Sequence, residues 1–204
     1  VVEAASGVAF GEFLKKEFFQ PLGMKDTDFR VSKESMSRLT RVYEQTPEGL
    51  AEYHGNHLGI CNHMDADRIA FESGGAGLIS TIEDYKHFTQ MLMQNGTYQG
   101  RTYLAPATVA YMTNGHLFSH QQPYMSGWEN LAGFTYGNLM RVMTDPSVAV
   151  MNGSIGEYGW DGWLGPYFAN MPALDTTFLM MIQKKDTGTF TLTRKLRNAL
   201  AAAF

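Results

Sequence analysis

The sequence has a single cysteine, Cys61, in 204 residues. An internal disulfide is excluded, and cysteine usage leaves the cellular compartment open, because exported proteins without disulfides are common. No apolar run approaches the roughly 18–20 residues needed to cross a bilayer as a helix. The residues from Val1 onward lack the basic start and apolar stretch of a secretory leader. Charge is sparse: charged residues make up 18%, the formal net charge is -4, and there is no dense Lys/Arg run. This removes the electrostatic footprint expected for nucleic acid or an anionic membrane surface. What the chain does have is core-forming material, 44% hydrophobic and 13% aromatic, enough for a globular fold.

The segment Val1-Val2-Glu3-Ala4-Ala5-Ser6-Gly7 reads as the closing turns of a helix ending on glycine, so the sequence is expected to begin within an element. Phe10, Phe13, Leu14 and Phe18 recur at helical spacing and predict an amphipathic helix over 10–19, stopped by Pro21. Residues 25–72 read as loops with short strands between the turn-formers Pro47, Gly49, Gly55 and Gly59. Ser80-Thr81-Ile82-Glu83 has the form of a capping box, in which the serine oxygen accepts the N–H three residues on. A helix should follow to about Gln94, ended by Asn95-Gly96. Another is expected over 106–112, with Pro106 in its first turn.

Two β-prone stretches, 134–143 and 148–151, flank Thr144-Asp145-Pro146-Ser147 and predict an antiparallel hairpin. The apolar run over 178–182 predicts a central strand covered on both faces. A terminal helix carries Leu192, Leu196, Ala199, Leu200 and Ala203 as one stripe to be buried. The fold class these elements imply is α+β, an antiparallel sheet with packed helices, undivided by any repeat or linker.

Three segments carry a resemblance. Phe18-Phe19-Gln20-Pro21-Leu22-Gly23-Met24-Lys25-Asp26-Thr27 is similar to a "PLGM-x-x-T" helix-to-loop segment. Ser73-Gly74-Gly75-Ala76-Gly77-Leu78-Ile79-Ser80-Thr81 with Asp84 is similar to "GGAGL-x-ST-x-x-D", whose glycines let the backbone bend and approach a neighbour closely. Gly159-Trp160-Asp161-Gly162-Trp163-Leu164-Gly165 resembles an edge-strand motif that reads Lys-Thr-Gly, His-x-Gly or Trp-x-Gly. In this order the three resemble the C-terminal half of the serine β-lactamase and penicillin-binding protein family, in its class C, esterase and D-alanyl-D-alanine peptidase branches. A phosphate cradle is the weaker reading of the glycine-rich turn, since no Lys-Ser/Thr pair follows it.

The resemblance implies a β-lactamase/transpeptidase-like fold, with residues 1–204 as the C-terminal portion of the domain and its N-terminal part missing. It also implies an acyl-serine mechanism, no cofactor, and a bacterial protein, exported or cytoplasmic. Trp160 takes the lysine position. Trp160, Asp161 and Gly162 are then expected to bind substrate, and the backbone N–H of Trp163 to be one of two oxyanion donors. Read from the residues alone, the alternatives are that Trp160 packs in a strand and Asp161 faces solvent. Losing the lysine charge removes the usual partner for a β-lactam carboxylate, so small-molecule esters or peptides are the expected substrates.

The family also requires a Ser-x-x-Lys helix and a Tyr-x-Asn loop upstream. No Ser-x-x-Lys and no Gly-x-Ser-x-Gly occurs. Tyr136-Gly137-Asn138 spells Tyr-x-Asn but follows the glycine-rich turn, out of family order, and is expected to serve packing. The chain alone is therefore expected to be inactive and, with a sheet edge exposed, to self-associate. The rival reading is a non-catalytic β-lactamase-like binding module.

Other clusters carry less. His54, His57 and His63 with Asp65 and Asp67, and His116 with His120 at helical spacing, match no metal signature, and no metal is expected. Cys61 lacks an evident activating partner. Tyr124 and Trp128 either contact substrate or cover the sheet, and the methionines read as core filling.

Overall fold

The computed structural model describes residues 1–55, 71–128, 130–186 and 191–203. Cys61, His57, His63, Asp65 and Asp67 lie outside the described residues. The chain divides into two units, Val1–Phe88 with Gln183–Lys185, and Thr89–Ile182 with the residues from Asp186 onward.

In the first unit, helix α1 (Val2–Ser6) closes on Gly7 at φ 74, as its sequence predicts. Helix α2 (Phe10–Leu14) runs through a π-helical turn, Lys15–Phe19, into a short α3 (Gln20–Leu22) capped by Gly23 at φ 78. Pro21 does not stop the helix, as expected from sequence, but sits in the first turn of α3. The widened turn, in which the Gln20 N–H reaches the Lys15 carbonyl, accommodates a residue that has no N–H to donate. Strands β1 (Tyr43–Thr46) and β2 (Gly49–Glu52) form a hairpin, and Tyr43 exchanges backbone hydrogen bonds with Gln183 and Lys185.

Helix α4 (Ile82–Met93) starts one residue later than the capping box implies. Thr81, not Ser80, accepts the N–H three residues on, from Asp84 at 3.2 Å, and Glu83 pairs with Lys86. The Ser80 hydroxyl is engaged elsewhere, 2.7 Å from Thr27 Oγ1. Asn95 and Gly96 end the helix in left-handed conformations, and the Gly96 N–H bonds to the Met91 carbonyl.

The second unit holds a short hairpin, β3 (Thr97–Tyr98) with β4 (Arg101–Thr102), then helices α5 (Pro106–Thr113) and α6 (Gln122–Ser126). A five-stranded antiparallel sheet follows, in the order β5-β6-β7-β8-β9. Its strands are β5 (Phe134–Tyr136), β6 (Arg141–Met143), β7 (Tyr158–Asp161), β8 (Tyr167–Met171) and β9 (Thr176–Met180). The predicted hairpin is displaced: the chain reverses within the first β-prone stretch, at 137–140, and residues 148–151 form no strand. Gly137 makes that reversal possible, because a Cβ there would lie 2.4 Å from the Met112 carbonyl oxygen. Strand β9 is not central but closes the described sheet, and most of it is only half buried. The fully buried strands are β6 and β8.

The terminal helix α7 (Thr191–Ala201) is rotated from its predicted orientation. Thr193 and Arg197 are buried, whereas Leu192 and Leu196 are exposed. A buried carboxylate, Glu157, requires a guanidinium partner, and Arg197 supplies it from four residues beyond Thr193. Among the described residues, no helix is long and apolar enough to cross a membrane.

Candidate active site

The first two family-like segments meet in the first unit as a structural latch. Asp84 Oδ2 accepts from the backbone N–H of Asp26 at 2.7 Å and from Thr27 Oγ1 at 2.8 Å. Asp28 and Ile79 exchange backbone hydrogen bonds beside it. The threonine of one motif and the aspartate of the other thus hold the start of α4 against the loop after α3. Among the described residues, the close backbone approach expected at the glycine-rich turn is not seen at Gly74 or Gly75, where a Cβ would meet nothing nearer than 3.9 Å. Gly77 is the position that demands glycine, at φ 101.

The third segment lies in the second unit. Strand β7 is not a simple edge strand: Tyr158 and Gly159 pair with β6 on one side and β8 on the other. Trp160 and Asp161 pair in the described ladders toward β8 alone, so the motif occupies the end of β7, where β6 no longer covers it. Beyond Asp161 the chain turns at 162–165, with the Gly162 N–H on the Pro166 carbonyl and the Gly165 N–H on the Gly162 carbonyl. Gly162 is needed there, because a Cβ would sit 2.9 Å from Pro166 Cγ.

Successive strand residues point to opposite sides, so Trp160 and Asp161 leave β7 in different directions. The Trp160 ring is half buried and packs edge-on against Tyr136, with centroids 5.4 Å apart at 80°. Tyr136 of the Tyr-x-Asn triplet therefore acts in packing, and its carbonyl accepts from the His116 N–H. Asp161 does not merely face solvent. Its Oδ1 accepts from Arg141 Nη1 at 3.0 Å, and the Arg141 side chain is 1% exposed. Burial pushes the Asp161 carboxyl up and the Arg141 charge pulls it back, leaving it above the ordinary carboxylate value. Trp163, in the turn, donates from its indole Nε1 to Asp186 Oδ1 at 2.9 Å, which fixes the residue whose N–H is the expected oxyanion donor.

Sequence reasoning missed the buried cations behind this strand. Arg141 also donates to the Phe168 carbonyl at 2.7 Å and lies over the Tyr167 ring, 4.1 Å from its centroid. Arg197 donates to the Tyr167 hydroxyl at 2.8 Å, the Asn152 carbonyl at 2.6 Å and both oxygens of Glu157. Burial works against the Arg197 charge, but these bonds more than offset it and hold its pKa above the ordinary arginine value. The available signal was an arginine inside a β-prone segment and another on a helix, which hydropathy alone assigns to the surface.

The remaining sequence candidates are separated from this site or engaged otherwise. His116 packs at a tilt against Tyr111 with its Nε2 2.7 Å from the Tyr111 carbonyl, and His120 stacks on Phe118. Neither lies in a helix, so the i, i+4 spacing carries no shared face. Tyr124 and Trp128 are 80% and 67% exposed and do not cover the sheet.

The beta-lactamase family pattern matches residues 1–203. An uncharacterised protein of Mycobacterium tuberculosis is 28% identical over 176 residues, covering 84% of this chain and 43% of that protein. Lovastatin esterase of Penicillium rubens is 31% identical over 175 residues, covering 81% of this chain and 40% of the esterase. Among solved structures, simvastatin synthase (LovD) from Aspergillus terreus superposes with a TM-score of 0.81 at 16% identity, covering 100% of this chain and 52% of that one. EstCE1, a hydrolase with promiscuous acyltransferase activity, gives 0.78 at 21% identity, covering 98% and 52%. The chain thus spans about half the length of these structures and less than half of the curated relatives, as an incomplete α+β fold of the β-lactamase/transpeptidase type. With its pattern matched along nearly the whole sequence, the chain belongs to the beta-lactamase family.

Proposed function

We propose that residues 1–204 are the C-terminal portion of a serine acyl-hydrolase domain that acts on esters or peptides, with the nucleophilic serine supplied by protein outside these residues. In this reaction the serine oxygen bonds to the substrate carbonyl carbon, the leaving alcohol or amine departs with a proton, and water then releases the acid. This chain contributes the end of β7. Trp160 and Gly162 line the acyl site, and Asp161 contributes to substrate binding from the other side of the strand. The Trp163 N–H stabilises the charge that develops on the carbonyl oxygen.

The observation that carries the reading is Trp160 in the lysine position, half exposed and braced by Tyr136 where β6 ceases to cover β7. An aromatic there favours a neutral acyl group over a carboxylate-bearing β-lactam. The esterase and acyltransferase relatives support ester chemistry. In isolation the chain is also expected to self-associate, because β9 ends the described sheet and an unpaired strand is a template for another.

The test is fluorophosphonate labelling of the natural full-length protein, with peptide mapping and ester hydrolysis assays. One adduct on a serine outside residues 1–204, with turnover, is expected. An adduct within these residues would overturn the assignment of the nucleophile. Absence of both adduct and turnover would overturn the enzyme reading in favour of the binding module.

A further inference from the structure

Arg141 is the most deeply buried cation next to the candidate site, and no step of the acyl transfer described above uses it. Its two terminal nitrogens join different strands: Nη1 donates to Asp161 at the end of β7, and Nη2 donates to the carbonyl of Phe168 on β8. Phe168 is the residue paired with Trp160 across the β7–β8 hairpin, and Tyr167, under the guanidinium, is paired with Asp161. One side chain from β6 therefore clamps both strands of the hairpin at its two last ladder positions before the turn at 162–165.

The backbone is shaped for this contact. Gly159 lies opposite Arg141 in the β6–β7 ladder and opposite Ala169 in the β7–β8 ladder. A Cβ at Gly159 would lie 2.0 Å from the Phe168 carbonyl oxygen, the oxygen that accepts from Arg141. Any other residue would displace the acceptor. The glycine that precedes Trp160 thus keeps the clamp intact, a role distinct from admitting substrate.

We infer that Arg141 is a positioning residue: by tying Asp161 to the Phe168 carbonyl it fixes the direction of the Trp163 N–H and the placement of Trp160. The inference rests on the acyl-hydrolase reading. A planar guanidinium can hold two acceptors in fixed relative geometry, which an ammonium cannot do. Arg141→Lys should keep the charge and lose the geometry. An oxyanion donor matters in the transition state far more than in the ground state, so the loss belongs in kcat and not in KM. A misplacement of about 1 Å can cost about 100-fold.

The experiment uses the natural full-length protein with wild type, Arg141→Lys, Arg141→Met and Asp161→Asn. Each is assayed for ester kcat and KM per fluorophosphonate-titrated site, affinity for a boronic-acid transition-state analogue, and thermal midpoint. Arg141→Lys is expected to lose roughly 10- to 100-fold in kcat with KM little changed, and analogue affinity should fall in parallel. Asp161→Asn should lose less in kcat than Arg141→Lys, since the Phe168 contact persists, and its KM should rise as well, since Asp161 also contributes to substrate binding. Arg141→Met guards the opposite limit, both contacts gone, and should lose at least as much as Arg141→Lys. A lowered thermal midpoint with kcat per titrated site and analogue affinity unchanged would overturn the inference and leave Arg141 a stability residue. A wild type that neither labels nor turns over would instead overturn the enzyme reading, and the inference with it.

Discussion

The Arg197–Glu157 pair gives the sharpest test of how α7 is held. Both side chains are essentially sealed from solvent, at 1% and 0% exposure. Arg197 makes two bonds to the carboxylate and one each to the Tyr167 hydroxyl and the Asn152 carbonyl. Replacing Arg197 by Met keeps the side-chain bulk but leaves a buried carboxylate without its cation, at a cost of about 3–5 kcal/mol. Against a typical domain stability of about 5–15 kcal/mol, that is a large fraction. Replacing Glu157 by Met as well removes the stranded charge. The double variant still leaves the Tyr167 hydroxyl and the Asn152 carbonyl without Arg197, a cost on the order of 1–3 kcal/mol. Arg197→Met is therefore expected to be the least stable, with the double variant recovering roughly 1–3 kcal/mol relative to it. Urea unfolding of the natural protein, comparing midpoints at a common m-value, measures this. If the double variant is no more stable than Arg197→Met, the cost does not come from an unpaired buried charge, and the reasoning fails.

The latch between the first two motifs makes a second prediction. Asp84→Ala should cost about 2–4 kcal/mol, since two donors lose a charged acceptor. Asp84→Asn, whose amide oxygen can occupy the same place, should cost roughly half, and equal losses in urea unfolding would refute the hydrogen-bond account. Glu72 provides a pH signature. Burial raises its carboxyl, but the Arg30 guanidinium and the Gly11 N–H, 2.5 Å away, outweigh burial and hold it below its ordinary 4.5. A depressed carboxyl stabilises the fold above its unfolded value, and that contribution is lost as pH falls through the folded value. The stability advantage of wild type over Glu72→Gln should therefore shrink as pH drops below 4.5, and a pH-independent difference would contradict this. At the site, Trp163→Pro deletes the expected oxyanion N–H. It should lower ester kcat per titrated site about 100- to 1,000-fold in the natural protein, with a lowered thermal midpoint from the lost indole bond to Asp186. Wild-type kcat would remove Trp163 from the oxyanion role.

What was legible followed from local chemistry. The helix stops at Gly7 and Asn95-Gly96 need only the left-handed preference of those residues, and they stand where the sequence puts them. Pro21 misled because a lone proline is read as a breaker, whereas the π-helical turn ahead of it removes the conflict. The hairpin was displaced because Gly137 fits under the Met112 carbonyl, a contact with α5 that no turn propensity encodes. Trp160 and Gly162 were readable from motif order. Their support was not, since Arg141 lies 20 residues from Asp161 on another strand.

By itself, the sequence determined the family and the α+β class, because motif order and hydrophobic period are written in the chain. Only the tertiary structure decided which face of α7 is buried, that Asp84 serves Thr27, and that Arg141 holds the hairpin. Each of these is a polar group whose burial is tolerable solely because a partner distant in sequence satisfies it, and hydropathy, which scores residues singly, assigns every such group to the surface.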